Sequence, residues 1–280
     1  MIGITKLSSG RLGNRLFHYH FLRQLAAQTG LEYFHLKFPE APFFVGLEQK
    51  RRPSLYPLIF TKKITLTAAQ VGRQKPIELL RLITEKNAEN YNIILQPPFL
   101  GNVFFDYLFF PPQNFIEIKP NYQKEFTFIT TNKLVIGLHF RGTDFAAWNA
   151  RASLKFNYYQ KAIEYCLANF PGQKLVFVLF TDDQNFPAYL ETSHFLQNNK
   201  QEFYQSDNLN LPIIDFYQLS QCDVLISSPS TFAILAGVIG KPKKIIHSQE
   251  WLDYMTEQND PFWVKLRQTD NPYYSLWHAC

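Results

Sequence analysis

A chain of 280 residues with 46% hydrophobic and 18% charged side chains can bury one large core or two ordinary ones, and is too apolar to be disordered. Its net charge of +5 is too small, and too evenly spread, to argue for nucleic-acid binding. Cys166, Cys222 and Cys280 are widely spaced and odd in number, which excludes a disulfide framework and a cysteine-based structural metal site.

No apolar run is long enough to span a bilayer, and the start MIGITKLSSGR lacks a charged-then-apolar signal pattern, so the expected location is the cytoplasm. Basic clusters at Lys50, Arg51 and Arg52 and along Lys241–Lys244 leave open a weak association with an anionic membrane surface.

Ile2–Leu7 reads as a short strand and residues 8–14 (SSGRLGN) as a turn-rich loop. A helical pattern follows over Arg15–Gln28, with Leu16, Tyr19, His20, Arg23, Ala26 and Ala27 at three- and four-residue steps. Gly30 suits a C-terminal cap, and Glu32–Phe38 reads as the next strand. The unit is β-loop-α-β. Gly13 stands in a loop that aims backbone N–H groups at the helix entry, and Asn14 there either caps the helix or reaches a ligand.

Between 39 and 132, Pro53, Pro57, Pro76, Pro97, Pro98, Pro111 and Pro112 break the chain into short pieces. A helix at Ile77–Lys86, a strand at Ile93–Leu95 and a closing segment at Ile116–Pro120 are the readable parts. The clusters Phe99, Phe104, Phe105, Phe109, Phe110 and Trp251, Trp263, Tyr273, Tyr274, Trp277 read as packing rather than as sugar platforms.

The second half alternates regularly. A strand at Leu134–His139 precedes a helix at Phe156–Phe170 that Pro171-Gly172 ends. A strand at Leu175–Phe180 then leads through Thr181-Asp182-Asp183 into a helical piece reaching Asn199. After a short strand at Glu202–Gln205, Asp215 is placed to cap a helix running to Cys222. Val224–Ile226 is a strand ending in Ser227-Ser228-Pro229-Ser230-Thr231, Phe232–Gly240 an apolar helix, and Lys244–His247 the last strand. Strands alternating with helices mean a parallel sheet with crossover helices. The expected division is an irregular N-terminal α/β half at 1–128 and a Rossmann-like half at 129–280.

Three polar clusters each follow a strand of that half: His139, Arg141 and Asp144; Asp182 and Asp183; Ser228, Ser230 and Thr231. A parallel sheet puts all three on one edge, where ligands of open α/β sheets bind. The planar fork of Arg141 suits a phosphate, and helix-start hydroxyls and N–H groups at Ser230 and Thr231 suit another anion. The alternatives are a local ion pair between Arg141 and Asp144, a packed His139, and ordinary helix caps at Asp182, Asp183 and Ser230. No acidic cluster forms a metal cage, so no metal is expected.

Taken together, SGRLGNRLFHYHFLRQLA, GLHFRGTDF, FVLFTDDQNF and DFYQLSQCDVLISSPSTFAILAGVIG resemble, in order, the motifs of GDP-fucose-dependent fucosyltransferases. The likeness is greatest to the α-1,2-fucosyltransferases (glycosyltransferase family 11), with similarity to α-1,6- and protein O-fucosyltransferases. The resemblance implies a GT-B-like α/β fold, two Rossmann-like halves with parallel sheets, the N-terminal half on the acceptor side. It also implies metal-independent transfer of fucose from GDP-fucose to a glycan acceptor with inversion, with no cofactor beyond this donor substrate.

By the same resemblance, Arg141 holds the diphosphate, His139 and one of Asp182 and Asp183 contact guanosine, and Ser230 and Thr231 bind the β-phosphate. Ser228 and Gly13 complete the donor set; Arg141, Asn14 and Asp144, a candidate base, form the catalytic set. The chain departs from the family at Gly142, where a second arginine is usual. Arg11 or Arg15 is a candidate replacement. A related enzyme with another nucleotide-sugar donor and a non-catalytic nucleotide- or glycan-binding protein remain as alternatives.

Overall fold

The computed structural model describes residues 1–4, 11–35, 40–45, 62–67, 76–96, 116–126, 132–206, 211–240, 242–268 and 277–280. They form two compact units, Met1–Tyr122 with Asp260–Lys265, and Gln123–Asn259 with Leu266–Cys280. The division thus falls at Tyr122/Gln123, and the chain returns to the first unit near its end, a step without a sequence signal. Among the described residues, no helix is long and apolar enough to cross a membrane. The phenylalanine cluster at 99–110, the basic cluster at 50–52, and Tyr273 and Tyr274 lie outside the described residues.

The first unit holds β1 (Ile2–Ile4), α1 (Leu12–Thr29), β2 (Tyr33–His35), β3 (Lys63–Thr67), α2 (Pro76–Ala88) and β4 (Asn92–Gln96). Its four strands run in the order β2-β1-β4-β3 with parallel pairing. Helix α1 starts earlier than its sequence pattern suggests, because Leu12 and Gly13 are both buried in its first turn. Gly30, at φ 67°, closes it as expected. This helix is buried nearly all round, so the interior also takes in His20 and Gln24, whose ring and amide nitrogens meet at 3.2 Å. Strand β3 went unread: it is an edge strand that buries only Leu66 fully, which leaves it almost no hydrophobic alternation.

The second unit holds β5 (Leu134–Phe140), α3 (Phe145–Trp148), α4 (Phe156–Asn169), β6 (Leu175–Thr181), α5 (Pro187–Asn198), β7 (Phe203–Gln205) and α6 (Pro212–Ser220). Then come β8 (Val224–Ile226), α7 (Thr231–Gly240), β9 (Lys244–His247), α8 (Gln249–Glu257) and β10 (Trp277–Ala279). The parallel strands run in the order β10-β9-β8-β5-β6-β7. Renumbered within the unit this is the order of a dinucleotide-binding sheet, which reverses direction between β5 and β8.

Every residue of β5 is buried, as a strand covered on both faces requires. Its Ile136 and Leu138 are wholly buried, each contributing about 1.5–3 kcal/mol of apolar transfer. Gly137 lets α6 close on the strand: a Cβ there would lie 2.7 Å from the Cys222 sulfur. Two expectations need correcting. Asp215 lies within the first turn of α6 and Leu211 takes the cap position, since Pro212 starts the helix. Strand β9 is not the last, because β10 pairs beyond it in parallel register.

Candidate functional site

The sheet reverses between β5 and β8, and the two strands deliver their polar residues to the same crevice. His139, next to last in β5, is buried, and its Nδ1 lies 2.7 Å from the hydroxyl of the equally buried Ser228, just past β8. The Tyr159 hydroxyl donates to the His139 carbonyl at 3.1 Å, and the imidazole stacks on Phe232 of α7, centroids 5.3 Å apart. Burial pushes His139 well below its ordinary value; the Asp182 charge opposes this and the Arg141 charge adds to it. The ring is neutral at working pH, with one donor and one acceptor nitrogen.

Arg141 follows directly. Its Nη2 meets Asp144 at 2.9 Å and its Nη1 meets Asp182 at 2.9 Å. Its Cζ sits 5.2 Å from the centre of the Phe145 ring, an additional cation–π contact. Asp182 also accepts the Gly142 N–H at 2.9 Å and the Thr143 hydroxyl at 2.7 Å. Burial alone would raise its pKa. The Gly142 amide, the Arg141 charge and the Thr143 hydroxyl outweigh burial and hold it below the usual range. The local ion pair considered from sequence is therefore formed, and a second carboxylate joins it.

Asp182 and Asp183, adjacent in sequence, part company in space. Asp183 accepts the Asn185 N–H at 2.9 Å, and its backbone is tied to the Thr181 hydroxyl, which closes the turn into α5. Ser230 is buried at the head of α7; its hydroxyl accepts the Phe232 N–H at 3.3 Å and its carbonyl accepts Ile234 N–H at 3.0 Å. It is thus a cap, with Thr231 as the first helical residue. His139, Arg141, Asp144, Asp182, Ser228, Ser230 and Thr231 are all at one sheet edge.

Gly13 and Asn14 belong to the first unit, in the opening turn of α1 rather than in a loop before it. The N-cap Arg11 gives this turn no side-chain bond. Arg15 forms an ion pair with Glu40 in the same unit, which engages one of the two arginines considered as replacements for a second cation. Gly142 has its own reason. A Cβ there would lie 2.9 Å from Asp183 Cβ and 3.0 Å from Phe186 Cβ and Cγ, so the turn after β6 occupies the space a side chain needs.

Sequence reading passed over Trp148. It ends the single turn of α3 and is 63% exposed. Phe145 lies 5.4 Å from it and the buried Trp251 backs it at 6.2 Å, so a flat apolar face is held out near Arg141. Its spacing of three residues from Phe145 in the motif segment was the available signal.

Three buried neutral histidines give the fold an acid limit. Burial lowers His18 to about 4 and His247 to about 3, and lowers His139 likewise. In the unfolded chain each titrates near 6.5. Between these values the unfolded state binds protons that the folded state excludes, so their contribution is complete above about pH 6.5 and is lost on acidification. Each group contributes a slope of up to about 1.4 kcal/mol per pH unit. Urea unfolding at pH 7.5, 6 and 5 should show stability falling steadily; a flat profile would mean the three rings are charged or solvated in the fold.

No protein-family model matches the chain, and no curated protein matches it in sequence. Solved structures do match. The fucosyltransferase NodZ from Bradyrhizobium aligns with 87% of this chain and 94% of its own, at 16% identity and a TM-score of 0.53. Arabidopsis thaliana FUT1, an R284K mutant in complex with GDP, aligns with 87% of this chain and 70% of its own, at 11% identity and a TM-score of 0.57. POFUT1 in complex with GDP-fucose aligns with 88% of this chain and 97% of its own, at 11% identity and a TM-score of 0.58. At such identities the likeness is one of fold: this chain has the α/β, GT-B-like fold of these fucosyltransferases, with two parallel sheets.

Proposed function

We propose that the chain is a fucosyltransferase that moves fucose from GDP-fucose to a hydroxyl of a glycan acceptor, metal-independently and with inversion. The carrying observation is Arg141 beside the reversal point of a dinucleotide-binding sheet, with the head of α7 and the His139–Ser228 pair next to it. NodZ soaked with GDP-fucose and POFUT1 in complex with GDP-fucose share the fold, which supports this donor over others.

In this reading Arg141 and the first turn of α7 at Ser230 and Thr231 stabilise the diphosphate as it leaves, the place where preorganised charge contributes most. The acceptor oxygen bonds to the anomeric carbon as the bond from that carbon to the β-phosphate oxygen breaks. GDP carries away the electron pair, and the acceptor proton passes to a carboxylate, for which Asp144 is our candidate. The neutral His139 contacts guanosine through a fixed hydrogen bond. The three donors already on Asp182 shift its role from touching guanosine to holding Arg141. Trp148 offers its exposed face to an acceptor ring.

A second reading, a nucleotide-binding protein without turnover, draws on Gly142, which leaves a single arginine in the motif. Calorimetric titration with GDP, UDP and ADP, followed by transfer of labelled fucose to a panel of oligosaccharides, separates the two. We expect GDP to bind at least tenfold tighter than UDP or ADP, and fucose to be transferred or the donor hydrolysed. Preference for UDP would overturn the donor, and GDP binding with neither reaction would favour the second reading.

A further inference from the structure

A guanidinium that already faces two carboxylates is a poor trap for an anion. Arg141 sets one positive charge against Asp144 and Asp182, each at 2.9 Å. The two carboxylates are not held alike. Asp182 also takes the Gly142 N–H and the Thr143 hydroxyl, and its side chain is only 19% exposed. The Asp144 side chain is 53% exposed and, although it stands at the N-cap of α3, it accepts no capping bond from that helix. The Arg141 side chain is only 11% exposed, so the pair is asymmetric: water can solvate a released Asp144 carboxylate, whereas the guanidinium needs a replacement partner such as another anion. Bidentate guanidinium–phosphate bonds are among the strong charge-assisted ones. Arg141 also keeps a donor in reserve: its Nε is buried and has no partner among the described residues.

Resting on the diphosphate role of Arg141, we propose that Asp144 is an internal stand-in for the donor's phosphate, holding the Nη2 edge of Arg141 until a nucleoside diphosphate displaces it. Asp182 keeps the guanidinium in place throughout. Displacement changes the local charge in the required direction. The Asp144 carboxylate swings toward water, which screens its charge, and the Arg141–Asp182 pair left behind is neutral, so the phosphate meets less repulsion at the guanidinium itself. The released Asp144 carboxylate then lies beside bound GDP-fucose, free to take the acceptor's proton, so the donor binds before the acceptor reacts. With respect to binding, Asp144 acts through Arg141 and is a positioning residue.

Titration of the intact chain with GDP tests this by its sign. Asp144→Asn removes the competing charge and should tighten GDP about two- to fivefold, whereas an Asp144 that merely braces the loop gives weaker or unchanged binding. Arg141→Ala, measured alongside, should abolish binding. If Arg141→Ala abolishes it and Asp144→Asn fails to tighten it, the exchange is overturned and the diphosphate role stands; if Arg141→Ala leaves it unchanged, both fall. A crystal structure of the unmodified chain with GDP gives a second view. Asp144 should have moved beyond hydrogen-bonding distance of Nη2, and an intact contact with phosphate seated on Arg141 would overturn the exchange.

Discussion

Arg141→Ala is expected to weaken GDP binding by at least about a hundredfold while the chain stays folded. Each hydrogen bond from a guanidinium to a charged oxygen contributes about 1.5–3 kcal/mol, so losing two costs about 3–6 kcal/mol. At about 1.4 kcal/mol per decade, that is two to four orders of magnitude in the dissociation constant. The fold survives for a reason visible in the site. Asp182 retains the Gly142 N–H and the Thr143 hydroxyl, and the exposed Asp144 side chain turns to water. The stability loss should therefore fall below the roughly 3–5 kcal/mol of an orphaned buried charge. Arg141→Lys should recover little, because a lysine cannot present a planar fork to Asp182 and a phosphate together. Calorimetry with GDP beside thermal unfolding decides it, and undiminished affinity in a folded Arg141→Ala would reduce Arg141 to a structural ion pair.

The carboxyl-edge site was legible because it rests on strong, local signals. The run Leu134–His139, short, apolar and closed by the Gly142 turn, reads as a buried strand, and the strand forms one residue longer. Three polar clusters after three such strands must meet on one edge if the sheet is parallel. Helix α4 announced itself through its amphipathic spacing and the Pro171-Gly172 stop. What escaped depends on tertiary packing. Sequence could not assign separate roles to Asp182 and Asp183, since neighbours at a strand end point to opposite sides and only the fold says which side holds Arg141. Helix α1 starts at Leu12 although Gly13 is a poor helix former, because burial of its first turn overrides propensity. Strand β3 buries only Leu66 fully and β10 is three residues long, so neither carries a hydrophobic alternation to read.

Gly142→Arg, the substitution that would restore the arginine pair usual in the resembling family, is expected to lower stability and to weaken GDP binding. The intuitive forecast is the reverse, that a second cation improves an anion site. Space decides between them. The first side-chain atom at 142 would come within 2.9 Å of Asp183 Cβ and 3.0 Å of Phe186 Cβ and Cγ. None of these is the free end of a flexible chain. They ride on the turn after β6, which is fixed by the Thr181 hydroxyl on Asp183, by Asn185 N–H on the Asp183 carboxylate at 2.9 Å, and by Phe186 N–H on the Asp183 carbonyl at 3.1 Å. Making room means moving that turn or the 142 backbone, and moving the backbone strains the Gly142 N–H bond that anchors Asp182 under Arg141. Gly142→Ala alone should cost about 1–3 kcal/mol, as overpacking usually does. In a chain of this length that lowers Tm by about 2–10 °C. Gly142→Arg adds the repulsion of a second guanidinium beside the first, with Asp182 less able to hold either. A Gly142→Arg protein with unchanged Tm and tighter GDP binding would refute the packing account and show position 142 to be open. Otherwise the single arginine of this motif is built in: the turn after β6 fills the place of the second, so adding a cation there removes the support of the one already present.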